Sequence, residues 1–274
     1  IILCTPPSAD GRIAPEILYA AKLVGIKKIV KSGGAQAIAA MAFGTESVPQ
    51  VYKIFGPGNQ FVTKAKQLIQ QKGVAIDMPA GPSEVLIIAD ATCNPAFVAA
   101  DLLSQAEHGD DSQVVLVCTD ETLVQKIQKE VTNQIEKLPR KETAKKALDN
   151  SFSVVLKNIE DCFSFSNQYA PEHLIVSTDK AEDYASLIIN AGSVFLGNYS
   201  CESAGDYASG TNHTLPTNSY ARSYSGVSVD SFCKKITFQK ITKKGIKNLG
   251  PTIETMAAAE GLDAHKNAVT IRLK

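Results

Sequence analysis

The sequence predicts an α/β protein: two incomplete Rossmann-like parallel-sheet domains followed by a C-terminal helical tail. Three observations predict it. Short apolar, β-branched runs alternate with longer stretches of helical period, the pattern of parallel strands joined by crossover helices. Each run leaves into Pro, Gly or Ser before its helix, which sets loops at the carboxyl edge of a sheet, where open α/β folds bind ligands. The alternation then stops near Gly197, and Gly, Ser, Asn, Thr and Tyr dominate as far as Ser228.

The first domain, residues 1–82, reads as strands ILC, KKIVK and VYKIF alternating with helices from Ile13 to Val24, Ala35 to Phe43 and Gln60 to Gln71. The second, residues 83–227, runs through EVLIIAD, a helix from Pro95 to Glu107, QVVLVCT, helices up to Leu148, SVVLK, a helix to Tyr169, HLIVST, a helix to Asn190 and SVFLG. Its closing segment is a long aperiodic loop that carries a His and an Asp and is read as functional. Residues 228–274 form the helical tail, and no internal repeat is present.

Composition narrows the function classes. The 274 residues carry 28 Lys plus Arg against 28 Asp plus Glu, so no global field draws in nucleic acid or an anionic membrane. A small-molecule partner is expected. The lysine-rich run KKITFQKITKKGIK, from Lys234 to Lys247, reads as a solvated helical face, because no aromatic platform accompanies it. Six cysteines, several of them inside apolar runs, read as reduced core residues of a cytoplasmic protein. No apolar stretch approaches the ~20 residues that a membrane span requires. The opening IILCTPP resembles the inside of a buried strand, and an N-terminal truncation is expected from it.

Four histidines, His108, His173, His213 and His265, bound the search for chemistry. In SQAEHG, Gln105 and His108 are three apart and share a helical face, where they could hold a metal, or His108 could simply face the carbonyl end of its helix. Glu172 and His173 in APEHLIV stand at a strand entrance. Neighbours there point in opposite directions, so the two are expected to serve separate parts of one reaction, with a surface Glu-His pair as the alternative. Asp206 and His213 share the loop SAGDYASGTNH, and an Asp is both a hard zinc ligand and an ordinary turn former. Glu260 and His265 sit five apart in AEGLDAH, a spacing that capping and surface roles also explain. For a cofactor, GPGN and KSGG each precede a helix, where backbone amides favour phosphate. Neither is a G-x-G-x-x-G fingerprint, and a tight turn accounts for each equally well.

Taken together, GGAQAIAAMAFGTESVPQV, KIFGPGNQFVTKAK, AIDMPAGPSEVLIIAD, DLLSQAEHG, QYAPEHLI, AGSVFLGNYSCESAGDYASGTNHTLPT and ETMAAAEGLDAHKNAV resemble, in order and spacing, the histidinol dehydrogenase family over essentially the whole chain. The resemblance implies a zinc-requiring, NAD-dependent oxidation of L-histidinol through the aldehyde to L-histidine, the last steps of histidine biosynthesis. It implies zinc ligands Gln105, His108, Asp206 and His265, which also orient substrate, and an acid-base pair Glu172 and His173. It further implies substrate contacts from Ser83, His173 and Glu260, NAD contacts from Gln36 and Asn59, and a homodimer whose tails cross to complete shared sites. His213 receives no role. Two other readings stay open at this stage, a zinc hydrolase that consumes no NAD and a non-catalytic remnant that only binds zinc or a small molecule.

Overall fold

In the computed structural model, which describes residues 1–274, the first block folds as β1 (Ile2–Cys4), α1 (Pro15–Leu23), β2 (Lys28–Val30), α2 (Gly34–Phe43), β3 (Lys53–Ile54), α3 (Gln60–Gln70) and β4 (Ala75–Ile76). The pairs β1–β2 and β3–β4 are parallel. The two-residue strand β4 is too short to leave any periodicity in the sequence. Asn59 caps α3 by accepting from the N–H groups of Phe61 and Val62, an interaction worth about 1 kcal/mol. Ile38 and Met41 of α2, Ile69 of α3, and Ile54 and Ile76 of the strands close a small core.

The second block builds a five-stranded sheet from β5 (Glu84–Ala89), α4 (Pro95–Ala106), β6 (Gln113–Cys118), α5 (Glu121–Ile135), α6 (Lys141–Asp149), β7 (Phe152–Val155), α7 (Ile159–Tyr169), β8 (His173–Ser177) and β9 (Ser193–Leu196). All its strands are parallel, in the order β7-β6-β5-β8-β9. The chain therefore winds outward from β5 to one side, returns, and winds outward from β8 to the other, with its switch point between those two strands. Both are covered on both faces, so past their first residues, Glu84 and His173, they read as apolar runs. Val85 and Ile87 face Val98, Leu102 and Leu103 of α4 and Ile127 of α5. Leu86, Ile88, Leu174 and Val176 face Cys162 and Phe163 of α7.

Two local expectations change. The segment expected as a helix to Asn190 is a 3₁₀ helix, Ala181–Leu187. Within the long loop after β9, Glu202–Tyr207 form a short helix, α8. The chain divides into two units, Ile1–Ser231 and Phe232–Lys274, so both α/β blocks share the first unit and the second begins at Phe232.

The second unit, taken by itself, is α9 (Lys243–Ala259) packed on α10 (Asp263–Leu273). The lysine-rich run is helical only from Lys243 onward; residues 233–242 have no regular structure and are exposed. Its β-branched Ile and Thr residues disfavour a helix that no core supports. All six cysteines are free thiols. Cys93, Cys118 and Cys162 are buried as expected, whereas Cys233 is exposed. No helix is long and apolar enough to cross a membrane.

Candidate active site

The first residue of β5 organises the site. The Glu84 N–H donates to Glu172 Oε2 (2.8 Å), and the Glu84 carbonyl pairs with His173 Nδ1 (3.1 Å). Both side chains are almost fully buried, Glu172 at 6% and His173 at 4% exposure. Contrary to the expectation that these neighbours diverge, the Glu172 carboxylate turns back to the β5 entrance and lies 3.6 Å from Nδ1, an ion-pair distance. The strict alternation of a strand does not bind Glu172, because β8 begins one residue later. With Nδ1 engaged, Nε2 is the open edge of the ring; it is buried, has no hydrogen-bond partner and lies 3.9 Å from Asp206 Oδ1.

Asp206 comes from α8, where Glu202 lies one turn earlier on the same face. Ligand atoms of His108, Glu202 and Asp206 all fall within 4.8 Å of one another. His108 stands just beyond the end of α4 and is exposed. One turn back on α4, Gln105 is 1% exposed. With its amide oriented to suit its neighbours, its nitrogen donates to the Glu202 carboxylate, at 2.8 Å to Oε2, and its oxygen lies 3.1 Å from the Glu84 N–H, which it shares with Glu172. Of the four implied zinc ligands, the structure therefore brings His108 and Asp206 together. It places Gln105 behind them, attached to Glu202, and adds Glu202 itself. His265 lies on α10 of the second unit, exposed, and Glu260 caps α9 there. Ser83 is partly buried immediately before β5. His213 is exposed in the loop.

Burial and like charge shape the electrostatics. Burial raises Glu202 to about 8; His173 opposes this, and Asp206, Glu172 and Asp101 reinforce it. Burial likewise raises Glu84 to about 7, against the Asn218 N–H that stabilises its charge. At His173, burial disfavours the imidazolium, but the Glu172 carboxylate and then Glu202 outweigh it and raise the group to about 9. Imidazole nitrogen and carboxylate oxygen are suitable zinc donors, so the residues present fit that metal.

These groups gather at the amino edge of the sheet, at the starts of β5 and β8, and not at the carboxyl edge where loops of such folds usually bind ligands. The residues implied for NAD lie elsewhere. Gln36 is exposed in the first turn of α2, after β2, and Asn59 is exposed at the start of α3, after β3. These two helices pack against each other.

Glu84 and Glu202 are the site residues that sequence reading missed. Glu202 precedes Asp206 by four in ESAGD, a helical spacing that would have found it had the short helix been foreseen. Glu84 opens an apolar run, where a buried carboxylate has no local signature.

A carboxylate-imidazole pair beside a nitrogen-and-oxygen donor group, on a doubly wound parallel sheet, defines an α/β protein with an acid-base site suited to a divalent cation. The chain belongs to the histidinol dehydrogenase family: the family model described as Histidinol dehydrogenase matches residues 1–273. It is 64% identical over 273 residues to histidinol dehydrogenase of Bacteroides thetaiotaomicron, covering 100% of this chain and 64% of that protein. It is 59% identical over 277 residues to the chloroplastic histidinol dehydrogenase of Arabidopsis thaliana, covering 100% of this chain and 59% of that protein. The crystal structure of histidinol dehydrogenase from Elizabethkingia anophelis superposes with a TM-score of 0.97 at 67% identity, covering 100% of this chain and 63% of that one. The chain thus spans somewhat under two thirds of the length of these relatives.

Proposed function

We propose that the protein oxidises L-histidinol through the aldehyde to L-histidine, the last steps of histidine biosynthesis, with NAD as oxidant and zinc as resident metal. The observation that carries this reading is the convergence of Glu172 and His173 with His108 and Asp206 at the entrances of β5 and β8. Zinc, when bound, supplies a template for the amino and imidazole nitrogens of the substrate. NAD supplies the hydride acceptor.

The chain's own residues do the rest. Glu84 fixes His173 through Nδ1, so Nε2 is the atom that takes the proton of the alcohol. That role needs the neutral ring, and positive charge placed among the carboxylates lowers the imidazole pKa toward it. Glu172 spends Oε2 on the Glu84 N–H and keeps Oε1 to activate the water that hydrates the aldehyde. General acid-base help of this kind is commonly worth about 10² to 10⁴ in rate. Ser83 adjoins this pair and is read as a substrate contact. Gln105 supports the metal group through Glu202, and Gln36 and Asn59 at two helix starts are read as the NAD contacts.

Glu260 and His265 are read as completing the substrate and metal site of a second copy in a homodimer. Exposed apolar side chains in the second unit, among them Phe238, Met256 and Ile271, support an assembled form. Free thiols support a cytoplasmic setting.

The test is metal analysis of the full-length protein together with NADH formation from histidinol. Zinc with NADH formation upholds the reading. Zinc with hydrolysis and no NADH would make it a zinc hydrolase, and zinc without turnover a binding protein. Glu172→Gln is expected to slow oxidation of supplied aldehyde more than of histidinol, and His173→Ala to slow the alcohol step. Equal losses on both substrates in both variants would mean that the roles are not divided in this way.

A further inference from the structure

The motif TLPT, Thr214–Thr217, which lies inside the long loop, has no part in the chemistry above. Thr217 is 1% exposed, and its carbonyl accepts from the Tyr220 N–H (3.0 Å), closing a four-residue turn. The two central residues, Asn218 and Ser219, both lie in the left-handed region, with φ of 53° and 60°. Asn tolerates that region; a Ser there is strained and persists only where its surroundings dictate it.

The surroundings here are specific. Thr217 Oγ1 accepts from the Gly81 N–H (2.6 Å). The Asn218 N–H donates to Glu84 Oε1 (2.9 Å). Ser219 Oγ donates to the carbonyl of Tyr169 (2.7 Å). Asn218 also sits so close over Gly81 that a Cβ on that glycine would fall 2.7 Å from its Nδ2. One strained turn therefore grips two segments of chain. The first, Gly81 to Glu84, enters β5 and holds both members of the acid-base pair by its last peptide groups. The second ends α7 at Tyr169, three residues before Glu172.

We propose that the Thr217–Ser219 turn is a positioning element of the acid-base pair. It clamps the entrances of β5 and β8 at one distance, so that the Glu84 main chain presents Glu172 and His173 together. Thr217 acts through Gly81 and Asn218 through Glu84, the two ends of the segment that enters β5, and neither need touch substrate. A turn serving only to finish the loop would have no reason to bind both entrances, nor to hold a serine in the left-handed region while doing so.

This inference rests on the function proposed above, and its test separates the two. Thr217→Val keeps the side-chain shape but leaves the Gly81 N–H without its acceptor, whereas Thr217→Ser keeps the acceptor. In the full-length protein, Thr217→Val is expected to lower kcat on histidinol by roughly ten- to hundredfold at a temperature where the variant remains folded, as small misplacements of reacting groups do, with KM and zinc content little changed and the melting temperature lowered by a few degrees, as one unsatisfied N–H implies. Thr217→Ser is expected to restore most of the rate. A second reading uses no turnover: with ¹⁵N-labelled histidine and a His173→Asn control for assignment, Thr217→Val shifts the His173 Nδ1 resonance and Thr217→Ser does not. The proposal is overturned if kcat is unchanged in Thr217→Val, if its loss is accounted for by the unfolded fraction at the assay temperature, or if the Ser variant behaves like the Val variant. Should the wild-type protein fail to oxidise histidinol, the proposed function falls and the imidazole resonance alone decides whether the turn positions His173.

Discussion

Lys66 and Asp77 form a buried ion pair, with side-chain exposures of 2% and 0%, and each also holds one end of Gly56. Lys66 Nζ donates to the Gly56 carbonyl (2.8 Å), and the Gly56 N–H donates to Asp77 Oδ2 (2.7 Å). Asp77 Oδ1 takes a further N–H from Met78 (2.7 Å). The pair thereby fixes the turn Gly56-Pro57-Gly58 that leads into α3.

Lys66→Met should be strongly destabilising, because it strands a buried carboxylate. Removing one partner of such a pair commonly costs about 3–5 kcal/mol. Lys66→Met with Asp77→Leu should recover much of that loss, since no charge is then left unpaired. Urea unfolding of the three proteins measures both effects, and a single-variant loss below about 1 kcal/mol would contradict the argument.

Gly192 lies against the Glu172 main chain, where a Cβ would fall 2.6 Å from the Glu172 carbonyl oxygen and 3.2 Å from the Leu215 side chain. Backbone cannot yield as a flexible side chain does. Gly192→Ala should therefore displace Glu172, costing about 1–3 kcal/mol of stability and lowering kcat. Thermal melting and steady-state kinetics check it; wild-type values in both would show that the β9 entrance can move freely.

Zinc should bind at about one ion per chain of full-length protein, and His108→Ala should lose it while keeping the fold. Glu202→Gln should weaken binding by about 10- to 100-fold, the usual effect of disturbing groups around a metal. Elemental analysis and chelator competition measure these. Stoichiometric zinc retained by His108→Ala would remove that residue from the ligand set.

Asp101, on the same α4 face as Gln105, has its carboxyl raised by burial from 3.8 to about 6. The folded state binds this proton more tightly than the unfolded one, so its contribution is complete below pH ~4 and is lost as pH rises through about 6. Asp101→Asn should thus become more stable than wild type across that window and keep a constant advantage above it. Chemical unfolding from pH 4 to 8 should show the two proteins diverging; parallel curves would rule out a buried, raised carboxyl.

Subunit mixing tests the shared-site proposal. A mixed dimer of inactive His108→Ala and inactive His265→Ala full-length chains gathers both defects into one site if His265 serves the partner. Activity should then return at up to one site per mixed dimer. Continued inactivity after demonstrated exchange would assign His265 to its own chain.

Much of the fold was legible because its strands and helices carry strong local signals. Val85–Ala89 and Leu174–Val176 are apolar runs because both faces of these strands are covered. The site was legible mainly as a set of strings in a familiar order. What local pattern could not convey was geometry across the sheet. Nothing in APEHLIV tells that Glu172 folds back to the peptide of Glu84, and nothing in AIDMPAG tells that Asp77 meets Lys66. The expected edge differs because ligand sites of open α/β folds are usually at the carboxyl edge, whereas Glu84, Glu172 and His173 stand at strand starts, which in an all-parallel sheet is the amino edge. Glu202 was overlooked because a six-residue helix inside a polar loop has too few turns to show its period.

The site straddles β5 and β8, which lie side by side through the register Val85 to His173 although most of the second block separates them in sequence. Closing so long a loop is among the slower steps in assembling a parallel sheet. Until that closure, Glu84 has no Glu172 to bind, and the α4 end that bears His108 has no Asp206 opposite it. The step that closes the sheet is therefore the one at which these groups first meet. If these donors take zinc as proposed, a half-assembled chain holds them apart, and metal capture would time the joining of the two halves of the sheet.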